Sequence, residues 1–166
     1  MTAVNGIDVP NLKTYIEGVR EDRSRADRGP TVVATWQGVT RAALEMDGRK
    51  GLHIGGDDEL NAMQTLLGAL GACDIEVIVT HAALMGLQIE DLRIEASGHF
   101  NVASLLGVES PTDAGYQEVS YKVVIDAPGA TMDQIQYLKD SCERFSPVGD
   151  SLRKHVPLTL EFETTA

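Results

Sequence analysis

The sequence is short of cysteine, of aromatic side chains and of positive charge, and each shortage excludes a class of protein. Two cysteines in 166 residues cannot staple a disulfide scaffold, so the fold must rest on a packed core. Lys and Arg number 14 against 25 Asp and Glu, a formal charge of −11. A surface of that sign repels phosphate backbones, which argues against nucleic acid as a partner. The opening MTAVNGIDVP has neither the basic n-region nor the apolar h-region of a secretory signal. The longest uncharged run, Leu60 to Cys73, contains Asn61, Gln64 and Thr65 and falls short of the ~20 apolar residues a membrane span needs. The expected compartment is therefore the cytoplasm, with both thiols reduced or redox-active. No Walker loop, GxGxxG, HExxH, CxxC or GxSxG occurs. His53, His81, His99 and His155 show no ligand spacing, so neither a metal nor a cofactor is expected.

What is present describes a globular chain. Apolar residues make up 43% and charged residues 23%, unlike a disordered or low-complexity segment. The length suits one domain, burying roughly two-thirds of the surface the unfolded chain exposes. Residues 1–30 read as an N-terminal helical arm and linker. Leu12, Tyr15, Ile16 and Val19 repeat at helical spacing over Asn11 to Arg23, and the charged SRADRG and Pro30 follow.

From Thr31 the period becomes two. Val32, Ala34 and Trp36 share one side of a strand, Ala42, Leu44 and Met46 one side of the next. Asp47-Gly48 marks a turn before a short strand at Leu52–Ile54. Leu60 to Met85 reads as one long helix, apolar or small on almost every side between Leu66 and Val79 except at Asp74 and Glu76, and stopped by Gly86. A helix of that kind is enclosed by other structure. Gly68 and Gly71 mark a place for a bend or a close contact. Two alternating strands follow, Leu87 to Ala96 and Val119 to Ile125, with a loop of unassigned form at 101–115. A helix runs from a Thr131 cap to Phe145, a shorter one starts at Ser146-Pro147, and Val156, Leu158, Leu160 and Phe162 alternate as a last strand. One-faced strands mean antiparallel pairing with helices on one face, an α+β fold.

The residues that carry chemistry are the two thiols. Cys73 lies midway along the most apolar helix, and Cys142 lies near the end of the 131–145 helix, between Lys139 and Arg144. Each has a plain alternative role, since free cysteine packs like a small hydrophobe. His81, on the long helix, reads as structural.

The segment NAMQTLLGALGAC, followed from Gly86 by GLQIEDLRIEASG, resembles the OsmC/Ohr family (osmotically inducible and organic hydroperoxide resistance proteins). The closing SPVGDSLRKHVPLTLEF resembles the ending of that family, and the order of elements over residues 31–166 is similar. The resemblance implies antiparallel sheets packed around a long central Cys-bearing helix in an intertwined homodimer. It also implies thiol-dependent reduction of organic hydroperoxides, in which a thiolate becomes a sulfenic acid and then condenses with a second thiol.

Carried over by position, Cys73 is the peroxidatic thiol, and Arg41 is the candidate guanidinium that activates it. Arg144 and Arg153 are cations held in reserve. The carboxylate that holds the family's cation falls at Met63, so Glu59 and Asp58, about a turn upstream, are the carboxylates available for that role. The second-thiol position falls at Ser146, and Cys142, four residues earlier, is the candidate resolving thiol. The expected partners are a second copy of the chain, a small hydroperoxide and a thiol reductant. The alternatives are an OsmC-like protein binding a small apolar ligand in the dimer cleft, with Cys73 as wall, and a structural protein with inert buried thiols.

Overall fold

Asn5 and Gly6, at φ 51° and 79°, turn the chain back on itself, so that β1 (Ala3–Val4) pairs antiparallel with β2 (Ile7–Asp8). Asp8 then caps α1 (Val9–Glu21), accepting a hydrogen bond from the Asn11 N–H at 3.1 Å, with Pro10 in the first turn. The hairpin anchors the arm to the rest of the chain. The Asn5 amide donates to the Leu87 carbonyl at 3.0 Å and accepts from the Ile89 N–H at 2.9 Å. The computed structural model describes residues 3–46 and 49–164, and the expected Asp47-Gly48 turn lies outside them.

β3 (Val33–Trp36), β4 (Ala42–Met46) and β5 (Arg49–Ile54) form an antiparallel meander in the order β3-β4-β5. Ala34 faces Leu44 and Trp36 faces Ala42 across β3 and β4, keeping the alternating apolar residues on one side. The β4–β5 register shifts between Ala43 and Glu45. Gly51 accommodates the irregularity, because a side chain there would run into the Leu44 carbonyl. No other described element packs extensively on this meander. Val33 and Trp36 are exposed, Trp36 to 74%.

The body of the fold is α2 (Ala62–Leu84), the ribbon of β6 (Asp91–His99) and β7 (Glu118–Asp126), α3 (Met132–Phe145) and α4 (Pro147–Arg153). Asn61 and Gln64 close a reciprocal capping box at the start of α2, and Thr131 and Gln134 do the same for α3. In the ribbon, Leu92 faces Ile125, Ile94 faces Val123 and Ala96 faces Tyr121. That apolar face lies on the helices, and Ile94 sits over Gly71, whose missing side chain allows the approach. The core gathers Ile78, Ala82, Leu87, Leu138 and Cys142, with Leu92, Ile94, Val123 and Ile125 packed against it.

This is the expected α+β fold, antiparallel sheets with a long cysteine-bearing helix, but two expectations need correction. The strand read from Leu87 begins only at Asp91, because Leu87 and Ile89 are held by Asn5 instead of a neighbouring strand. The last strand does not form. Residues 154–164 carry no regular structure, and Leu158 is 94% exposed. A strand needs an edge to bond to, and among the described residues no sheet pairs with this segment. Within the single chain, α2 is covered on one side. Leu70, Gly71, Asp74, Val77 and Ile78 are buried, whereas Ala72 and Ile75 are open. By length and composition its 23 residues would suffice to cross a membrane; here its buried face forms part of a globular core.

Candidate functional site

Cys73 sits half-buried in the middle of α2, and the next residue, Asp74, is fully buried. Against them stands the junction of α3 and α4. Ser146 leaves the helical conformation there (φ −73°, ψ 110°) and Pro147 starts a new helix, so Ser146 becomes an N-cap. Its hydroxyl oxygen accepts the Gly149 N–H at 3.1 Å, and its O–H donates to the Cys73 sulfur at 3.5 Å. Ser146 is 1% exposed. Ser146 therefore uses a lone pair on its own helix and directs its one proton at sulfur.

Cys142, one turn before Ser146, points into the core and is 4% exposed. Both cysteines are free thiols, and among the described residues no hydrogen bond joins the two. Burial, and secondarily the charge of Asp74, push the Cys142 thiol up to about 12. The same two causes raise the Tyr121 phenol, burial first. Asp74 is unusual in itself: among the described residues neither of its carboxylate oxygens has a hydrogen-bond partner, an arrangement that costs free energy.

Arg41 and Glu59 meet. Arg41 Nε lies 2.9 and 3.1 Å from the two Glu59 oxygens, and its Nη2 lies 2.6 Å from Oε1. The Gly56 N–H also donates to Glu59, at 3.1 Å. The hydrogen bond from Arg41 is the main cause that holds the Glu59 carboxyl below its ordinary range, and in return it raises the guanidinium. Asp58, the other carboxylate expected here, is exposed, and Arg41 takes Glu59. The pair stands before the first turn of α2, whereas Cys73 lies about three turns further on, roughly 16 Å along the axis. Within the chain, Arg41 is thus engaged by Glu59, and its bonds do not include Cys73.

The cation beside the thiol's partner is Arg153. Its Nη1 donates to the Glu143 carbonyl at 2.9 Å. Its Nη2 lies 3.5 Å from the point where a Gly149 side chain would begin, and Ser146 Oγ lies 3.0 Å from that same point. The signal for this was the spacing of 146, 149 and 153, which shares one face of a helix. Met63, at the position where the family resemblance implied a carboxylate, instead lines a cleft of about 500 Å³ with Leu70, Tyr121 and Arg153. His81, read from the sequence as structural, bonds Tyr137 at 3.0 Å and stacks on Phe145. Among the described residues, no three His, Cys, Asp or Glu side chains are grouped to hold a metal ion.

Comparison with solved structures shows the same fold in several bacterial proteins. An OsmC-like protein from Mycoplasma pneumoniae superposes with a TM-score of 0.63 at 16% identity, over 76% of this chain and 89% of that one. An organic hydroperoxide resistance protein from Legionella pneumophila gives 0.53 at 15%, over 76% and 92%. Another from Elizabethkingia anophelis, with thiocyanate bound, gives 0.54 at 14%, over 76% and 91%. No curated protein matches in sequence. The OsmC-like protein family model matches residues 55–161, a span that runs from the Arg41-facing turn through α2 and the Ser146 junction to the closing segment, and the chain belongs to that family.

Proposed function

We propose that this chain is a thiol-dependent peroxide reductase in which Cys73 attacks an organic hydroperoxide. The observation that carries the reading is the hydroxyl of Ser146 aimed at the Cys73 sulfur at 3.5 Å. A donor held in that direction favours a thiolate over a thiol, and the thiolate is the attacking species. Arg153, on the same face of α4, adds positive charge to the surroundings. The thiolate forms a bond to the terminal peroxide oxygen, the O–O bond breaks, the alkoxide leaves and is protonated, and Cys73 becomes a sulfenic acid. The hydroperoxide resistance proteins that share the fold support the substrate class. The reading assigns the activity to the cytoplasm, where thiol reductants are available.

The same reading includes a homodimer. The exposed meander, the open side of α2 and the unpaired apolar residues after Arg153 are surfaces that a second copy would cover.

The test is consumption of cumene hydroperoxide in the presence of dithiothreitol. Wild type should turn over and a folded Cys73→Ser variant should not. Equal rates in the two would overturn the reading. One observation favours binding of a small apolar ligand instead: a cleft of about 530 Å³ between β7 and α3, lined by Ile78, Val123, Ile135 and Leu138. A protein stabilised by such a ligand and inert to peroxides would be of that kind.

A further inference from the structure

We propose that Cys73 works as a single-thiol centre, and that its oxidised form is reduced by a low-molecular-weight thiol taken from solution. This rests on the peroxide-reductase reading and names the co-substrate of the same site.

A sulfenic acid is carried back to thiol by another thiol that attacks its sulfur. The side chain that stands against Cys73 is the Ser146 hydroxyl, and an oxygen there cannot close a disulfide. The second thiol of the chain, Cys142, belongs to the packed core, among Ile78, Ala82, Leu87 and Leu138. A disulfide needs the two Cβ atoms about 3.5–4.5 Å apart with their vectors converging. Bringing Cys142 to Cys73 would mean drawing it out of that cluster, where it is 4% exposed, and displacing the Ser146 hydroxyl from its contact with the Cys73 sulfur. Cys142 is also a poor nucleophile, since its burial keeps it protonated at neutral pH. Cys73, by contrast, is partly open.

The cycle balances as follows. After the peroxide has left as alcohol, the external thiolate attacks the Cys73 sulfur, an S–S bond forms and the S–O bond breaks. The departing hydroxide takes a proton and leaves as water. A second molecule of the thiol attacks the mixed disulfide at its own kind of sulfur, releasing the symmetric disulfide and the Cys73 thiolate. In sum, one hydroperoxide and two thiols become one alcohol, one water and one disulfide.

The experiment treats the full chain with one equivalent of cumene hydroperoxide, with and without free cysteine, and follows intact mass and peptide maps. Without cysteine, the protein should stop with one oxygen added at Cys73, captured by dimedone, and with Cys142 still a free thiol. With one equivalent of cysteine, Cys73 should carry one cysteine as a mixed disulfide, and with both cysteine and hydroperoxide in excess, peroxide consumption should continue. The Ser146→Cys variant should behave differently, oxidising without added thiol to an intrachain disulfide that loses two hydrogens and gives no dimedone adduct. A Cys73–Cys142 bridge in wild type, or a Cys73 bridge between two copies, would overturn the proposal while leaving the peroxide reaction intact. Absence of any oxygen at Cys73 would overturn the peroxide-reductase reading and the proposal with it.

Discussion

Ser146 donates to Cys73 across 3.5 Å while accepting from Gly149 at 3.1 Å, so one hydroxyl both starts α4 and faces the thiol. Removing it should affect both. In Ser146→Ala, alkylation of Cys73 by iodoacetamide at neutral pH should slow by about tenfold, the scale of a lost hydrogen bond to a charged group. Stability should fall by ~1 kcal/mol through the lost cap. Ser146→Thr, which keeps hydroxyl and cap, should retain both. An unchanged alkylation rate in Ser146→Ala would show that the contact does nothing for sulfur.

Glu59 holds Arg41 and the Gly56 N–H together. In Glu59→Gln, amide exchange at Gly56 should accelerate and the turn before α2 should loosen. The pH dependence has a definite sign. The folded carboxyl lies below its ordinary value of 4.5, so its contribution is present above that pH and is lost as pH falls through the lower folded value. Exchange at Gly56, corrected for intrinsic rates, should therefore rise on acidification in wild type but stay level in Glu59→Gln. A level profile in wild type would remove the pair as the latch of this turn.

Much of this fold could be read from the chain because its signals are local. Ser146-Pro147 announces a helix start wherever the helix packs, and the Thr131 cap and the Gly86 stop are of the same kind. Alternation is weaker information. It assigned Val156, Leu158, Leu160 and Phe162 to a strand, but alternation describes two faces and says nothing of the edge that supplies hydrogen bonds. The β1–β2 hairpin escaped notice because its strands are two residues long, although Asn5-Gly6 is a turn signal. Residue types marked Arg41 and Glu59 as a cation and a carboxylate, and the chain pairs them, yet distance along α2 separates them from Cys73. Cys142 shares the core stripe with Leu138, four residues earlier, and its sulfur packs in the core.

The Cys142 thiol sets a prediction at the alkaline end. Its ordinary value is 9.0 and the folded value is about 12. A raised folded value means that stability is fully present below the unfolded value and is lost as pH rises toward the folded one. The urea midpoint should therefore decline between about pH 9 and about pH 12. In Asp74→Asn the upper end of that window should move down, because the charge of Asp74 is the second cause of the shift. A window that does not respond to Asp74→Asn would mean burial alone sets the thiol.

The residues beyond Arg153 make the strongest case for assembly. Val156, Leu158, Leu160 and Phe162 alternate with Pro157, Thr159 and Glu161 and stand exposed, and Trp36 on the separate meander is uncovered too. An alternating apolar segment without a strand partner and a meander without a packing partner have complementary needs, and both are met if two copies exchange these segments. Interfaces of that obligate kind exceed ~2,000 Å², and the separated subunit would then have little stability of its own. Wild type should sediment as a dimer at micromolar concentration, with Trp36 emission blue-shifted relative to unfolded protein. Leu160→Asp should weaken association, shift the emission to the red and lower the midpoint of thermal unfolding, and each effect should diminish as protein concentration is raised. Leu105→Asp, an exposed apolar site of the 101–115 loop, serves as the comparison for charge alone. A folded wild-type monomer at micromolar concentration, with Trp36 emitting as in water, would refute the exchange.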